Sequence, residues 1–254
     1  VEFSKTDRRT KKTSMLKLPC FYYDCFSMGA LYSASTKLVE LHLPDPQMHP
    51  LEISRGRTLV SITGFEYHDT DIKPYNEFSI AFFITYGKKG LPFFSLMSQK
   101  LKRSYGMHVW HLPVTTEIAR MGGVDFYGFP RFLADIKFTR GSHEARCVIT
   151  EKKKHILTLQ GPVLPVKAGT AVNYNLYPVH HGITVLARAD FLNHQYAETR
   201  DTGKVVLTIG DDHPVCSDLK SIDLSEKPVL YMYIPSCEAV LYGPRNLSEL
   251  KRAA

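Results

Sequence analysis

Short stretches of alternating or continuous apolar residues recur along this chain, each bounded by Gly, Pro or a cluster of charge. Stretches of this kind, rich in aromatic and β-branched residues, read as β-strands. Residues 18–31, 58–66, 77–86 and 107–112 are the first, with Pro113 ending the last of them. Residues 144–150 and 155–160 pair as a hairpin across a charged turn, and 174–177, 184–191, 205–209, 229–234 and 239–242 follow. Two short helices fit between. Ser35 caps the first, 36–43, with Leu38, Val39 and Leu43 inward and Pro44 beyond it; the second is 115–121. Residues 68–76 read as a loop, 87–90 as a turn, and 100–105 are too polar to assign. Many strands, few helices and no βαβ rhythm predict a mainly β chain of α+β class, closed as an antiparallel β-barrel or stacked as a sandwich.

With no repeat or low-complexity linker, one domain over 18–254 is the simplest partition, preceded by a basic N-terminal arm, 1–17, that is expected to be partly disordered. The arm carries Arg8, Arg9, Lys11 and Lys12, and Lys152, Lys153 and Lys154 form a second basic run. Both read as solvated segments, but the net charge of +7 keeps open an anionic partner: a carboxylate substrate, a nucleic acid or a membrane surface. A nucleic acid ranks last, because no aromatic-basic recognition motif is present. No apolar run is long enough to span a bilayer, so no membrane partner is expected. Cys20, Cys25, Cys147, Cys216 and Cys237 are scattered without a C-x-x-C, which predicts reduced thiols in a cytoplasmic protein and no zinc site.

No nucleophile-elbow, dinucleotide, phosphate-loop or H-E-x-x-H motif occurs, so no cofactor is expected. His108 and His111 are three apart on a strand and face opposite sides, which argues against a shared metal. The stretch 122–138, GGVDFYGFPRFLADIKF, carries more chemistry. It offers one acid, Asp125, turns through Gly128-Phe129-Pro130, and delivers Arg131 beside Phe132 at the start of an alternating strand. Glu77 opens another strand after Pro74-Tyr75-Asn76.

These residues resemble the acetoacetate decarboxylase family. In that family a G-R-E triplet leads through a turn to Y-P-K-K and a strand, as 122–138 does here. L-P-D-P from Leu43, H-D-T from His68, Y-N-E from Tyr75, V-N-Y-N-L-Y-P from Val172 and I-P-S-C-E-A-V-L-Y from Ile234 match further family segments in order. The resemblance implies a barrel with a small carboxylate or keto-acid pocket and self-association into a homo-oligomer. It places Arg131 where the Schiff-base lysine stands, Phe132 at the second lysine, Asp125 and Val124 at the Glu and Arg of G-R-E, Glu77 at one pocket acid and Thr63 at another.

An iminium needs a neutral primary amine, and a guanidinium stays protonated throughout the accessible pH range. Lys137 lies six residues on, about 20 Å along an extended strand. The expected function is therefore an anion clamp at Arg131, with Glu77 and Asp125 as acid or base, Phe129, Phe132 and Thr63 lining the pocket, and no ordinary Schiff-base decarboxylation. The alternative is a non-catalytic small-molecule binding protein on the same scaffold.

Overall fold

The computed structural model describes residues 6–9 and 15–247. Much of the N-terminal arm expected to be disordered lies outside the described residues; within it, Thr6–Arg9 and Met15–Leu18 pair as an antiparallel hairpin. The main elements, in chain order, are β1 (Cys20–Ser35), α1 (Thr36–Glu40), β2 (Arg57–Thr70), β3 (Tyr75–Tyr86), α2 (Phe94–Lys102), β4 (Ser104–Val114), α3 (Glu117–Tyr127), β5 (Arg131–Leu133), β6 (Asp135–Arg140), β7 (Glu144–Glu151), β8 (Lys154–Pro162), β9 (Ala171–Leu176), β10 (Ile183–Thr199), β11 (Val206–Ile209), α4 (Pro214–Ser221) and β12 (Leu230–Leu241).

Seven strands close a barrel in the order β3, β2, β1, β12, β10, β9, β4, with β4 returning to β3. The antiparallel expectation holds only in part, because the barrel is mixed. β9 runs parallel to β4, Tyr174 opposite Tyr105, and β5 adds parallel to β4, Leu112 opposite Arg131. Chain order explains the mixture. β4 and β9 are separated by α3, β5 and three strands of a second sheet, so the return to the barrel is a long crossover and not a hairpin. That second sheet is four-stranded and antiparallel, β6, β7, β8 and β11.

The strand period of two divides the barrel residues between two apolar regions. Outward-facing Phe26, Met28, Val60, Ile62, Phe78, Ile80 and Phe82 pack with Ile136, Cys147, Ile149, Leu157 and Leu159 of the small sheet. Inward-facing Tyr22, Leu59, Tyr67, Ala81, Phe83, Met107, Val109, Leu112 and Ala239 line the interior. Gly29 belongs to the interior set because a Cβ there would come within 2.4 Å of Thr63 Oγ1 on the adjacent strand.

Several boundaries differ from those expected. Residues 68–70 and 75–76 are strand, so the loop shrinks to 71–74. Pro113 lies inside β4, one residue from its end, where a missing N–H takes least from the ladder. The strands expected at 229–234 and 239–242 merge into one, β12 (Leu230–Leu241), whose register against β1 shifts on either side of Cys237; Pro235 falls in this irregular stretch. α1 ends at Glu40, and Ser35 makes no side-chain capping bond. α3 continues past Met121 to Tyr127, so the first third of the 122–138 stretch is helix. Two helices were not expected at all. α2 buries none of its residues, and α4 starts at Pro214 with His213 Nδ1 accepting from the Val215 N–H. Among the described residues no helix is long and apolar enough to cross a membrane.

Candidate functional site in the barrel

The barrel encloses a cavity of about 880 Å³. One end is ringed by the start of β4, the start of β9, the end of β3 and the intervening α2; Lys100, Leu101 and Arg103 line it there. The other end is closed by Arg131, Glu77, Tyr22, Tyr67 and Phe129. Between them the wall is chiefly apolar, including Leu59, Ala81, Phe83, Met107, Val109, Phe191 and Ile234, with Ser61, Thr63 and Ser79 as polar points. Thr63 is buried and its hydroxyl shares a 2.9 Å hydrogen bond with Ser61.

Arg131 reaches this end through local sequence. Gly128 terminates α3 in the left-handed region, φ 74°, and a Cβ there would meet the Val179 carbonyl at 2.3 Å, so glycine is required twice over. Phe129 is buried, its ring 5.2 Å from that of Tyr127, and the guanidinium carbon of Arg131 lies 5.8 Å from the Phe129 ring. Pro130 is exposed, and Arg131 then enters β5 beside β4. Its side chain runs beneath α3, where a Cβ on Gly123 would stand 2.2 Å from Arg131 Cδ. Gly123 is thus the gap in α3 through which the arginine passes.

Arg131 and Glu77 form a buried ion pair, with Nη2 donating to Oε2 at 2.5 Å and side chains 5% and 9% exposed. Arg131 Nη1 donates to the Ala119 carbonyl at 2.6 Å, while Nε is buried without a partner. Tyr67 donates to Glu77 Oε1 at 3.5 Å, and the Tyr75 hydroxyl donates to that of Tyr22 at 3.3 Å. Burial raises the Glu77 carboxyl above its ordinary value, with Arg131 and the tyrosine hydroxyls pulling the other way. Burial works against the Arg131 charge, but Glu77 and the surrounding phenols outweigh it and hold its pKa above the usual arginine value. Tyr22, Tyr67 and Tyr75 are pushed up by burial and remain neutral donors.

Two of the expected site residues lie elsewhere. Phe132 follows Arg131 on a strand and so faces the opposite side. It packs toward the outer core, its ring 5.8 Å from that of His213 and stacked at 23°. Asp125 does not line the cavity or pair with Arg131; His180 Nε2 lies 3.0 Å from its backbone carbonyl. Lys137 is exposed on β6, and the lysines lining the cavity, Lys100 and Lys167, are exposed residues. The tyrosine cluster was missed. Its signal was parity: Tyr67 pairs with Tyr75 and Phe65 with Glu77 across β2 and β3, so both tyrosines fall on the Glu77 face. Among the described residues no group of His, Cys, Asp and Glu side chains is arranged to hold a metal.

The family model for acetoacetate decarboxylase (ADC) matches residues 6–224. The chain belongs to the acetoacetate decarboxylase family. Solved structures of the family agree with the fold. An acetoacetate decarboxylase structure is 16% identical with a TM-score of 0.65, over 92% of this chain and 90% of that one. The acetoacetate decarboxylase of Legionella pneumophila is 14% identical with a TM-score of 0.64, over 89% and 86%. The enduracididine biosynthesis enzyme MppR, complexed with the condensation product of pyruvate and imidazole 4-carboxaldehyde, is 11% identical with a TM-score of 0.67, over 96% and 97%. MppR has also been solved with pyruvate. A search of curated proteins returns no match.

Proposed function

We propose that the barrel binds a carboxylate with a substantial apolar body, of the keto-acid class, and holds its anionic end at Arg131 without forming an iminium. The carrying observation is the buried Arg131 at the closed end of a large apolar cavity. A guanidinium has five N–H donors. Glu77 and the Ala119 carbonyl take one each, so donors remain for an anion. The pyruvate complex of the relative MppR supports a keto acid as the headgroup class. Cavity size argues for more than a headgroup. A pocket of about 880 Å³ is in the range of drug-sized ligands, and pyruvate would leave most of its apolar wall wet.

The same residues explain why decarboxylation through a Schiff base is not expected. Arg131 cannot become a neutral amine, and Lys100 and Lys167 stand at the other end of the cavity. Glu77 has a role compatible with anion binding. An incoming carboxylate competes for Arg131 and raises the Glu77 pKa further, so binding takes up a proton. The affinity for carboxylates therefore strengthens as pH falls from neutral toward the ordinary carboxylate range.

Calorimetric titration with 2-oxooctanoate and pyruvate tests the reading. The longer acid should bind at least about tenfold more tightly, from the apolar area it buries. Equal affinity, or binding of neither, would contradict the reading. Borohydride treatment with either keto acid should leave the protein mass unchanged, and a stable lysine adduct would overturn the exclusion of iminium chemistry.

A further inference from the structure

From Gly87 to Ser104 the chain contains no acidic residue and five cations: Lys88, Lys89, Lys100, Lys102 and Arg103. All five are exposed, and none pairs with a carboxylate among the described residues. The same segment carries the densest exposed apolar surface of the described chain. Leu91 is 70% exposed, Phe93 56%, Phe94 71%, Met97 39% and Leu101 80%. Phe94, Met97 and Leu101 are spaced three and four apart, so they form one stripe along α2. Gln99, on the other side of the helix, ties α2 to the barrel by donating to the Ile84 carbonyl at 3.1 Å and accepting from the Gly106 N–H at 3.1 Å. The apolar stripe is therefore fixed outward by a polar anchor at its back.

We infer that α2 and the loop before it dock the barrel mouth on an anionic lipid bilayer. An amphipathic helix with apolar residues on one face and lysines beside them suits the headgroup boundary, where the stripe enters the acyl region and the cations meet phosphate and carboxylate headgroups. A soluble polyanion would satisfy the cations and leave the stripe in water. A second copy paired about a two-fold axis would cover the stripe and bring both sets of cations together, with no acid in the segment to offset them. Position supports the bilayer as well. Leu96, Met97, Lys100 and Leu101 line the cavity mouth, so docking sets that mouth against the membrane. Glu198, the acid at the same mouth, is bound by the Tyr196 hydroxyl. This surface does not depend on what the cavity holds.

Flotation of the full chain with phosphatidylcholine vesicles, with and without phosphatidylserine, tests the inference. The protein should float with the anionic vesicles, much less with the neutral ones, and release as salt is raised. Two double variants away from the cavity lining separate the contributions: Leu91→Ser with Phe94→Ser, and Lys88→Glu with Lys89→Glu. Each should keep the wild-type melting temperature and weaken apparent vesicle affinity by about tenfold or more. The inference is overturned by failure of the wild type to float with phosphatidylserine vesicles. It is also overturned by full binding in both variants, which would assign adsorption to another cationic part of the chain. A multimer that Leu91→Ser with Phe94→Ser converts to monomers would overturn it in favour of a second copy.

Discussion

A single guanidinium organises the closed end of the barrel, and its placement depends on what its neighbours lack. Gly123 has no side chain where the Arg131 Cδ passes, and an alanine there would stand 2.2 Å away. Gly123→Ala should therefore shift Arg131 off Glu77 and lower the melting temperature, although alanine is the better helix former. An unchanged or raised melting temperature would contradict the packing. Replacing Arg131 by Met leaves a buried carboxyl without its cation, and the expected loss is about 3 kcal/mol in denaturant unfolding. Adding Glu77→Leu should recover most of it, since an apolar pair needs no compensation. A double variant no more stable than Arg131→Met alone would show that the pair was not the cause. Arg131 stood out in the sequence as a charge delivered by a Gly/Pro turn, whereas Glu77, an acid opening a strand, was singled out by the family resemblance. The Tyr22, Tyr67 and Tyr75 cluster was hidden because it depends on the register of three strands.

At the scale of elements, strands were more legible than helices, for a physical reason. A strand that faces two cores carries continuous apolar residues, as 77–86 does. α2 puts most of its apolar residues in solvent, and α4 buries Val215, Cys216 and Leu219 but is only eight residues long, too short for its inward face to stand out as a period. The parallel pairing of β4 with β9 and β5 was illegible because it depends on long crossovers, whose partners no local pattern names. α4 also carries a pH-dependent contact. His111 on β4 lies 3.0 Å from Asp218 on α4, and burial pushes its pKa down to about 4, with Asp218 opposing the fall. The unfolded chain protonates this histidine near 6.5, so between 6.5 and about 4 the unfolded state binds the extra proton. Stability should fall as pH drops through that window, by at most about 1.4 kcal/mol per pH unit for one proton. His111→Gln should flatten the profile measured by urea unfolding; an equally steep profile would assign the acid sensitivity elsewhere.

At the scale of the whole molecule, one barrel has two ends of different character. The α2 end is cationic and open, with Lys100 and Lys167 at its rim, and the Arg131 end is closed and compensated. In the function proposed above, an amphiphilic acid places its carboxylate at the closed end, on the Arg131 donors that Glu77 and Ala119 leave free, and its apolar body along the wall. The family fold was legible from the ordered motifs, while the placing of Arg131 and Glu77 at one end of the cavity and of α2 at the other required the closed barrel. In the proposed function the ligand's charge, and not only its apolar body, is read at Arg131. Calorimetric comparison of 2-oxooctanoate with its methyl ester tests this most directly, because the two differ chiefly in that charge. The acid should bind at least about tenfold more tightly than the ester, and the difference should disappear in the Arg131→Met, Glu77→Leu double variant. An ester that binds the wild-type protein as well as the acid does would contradict it.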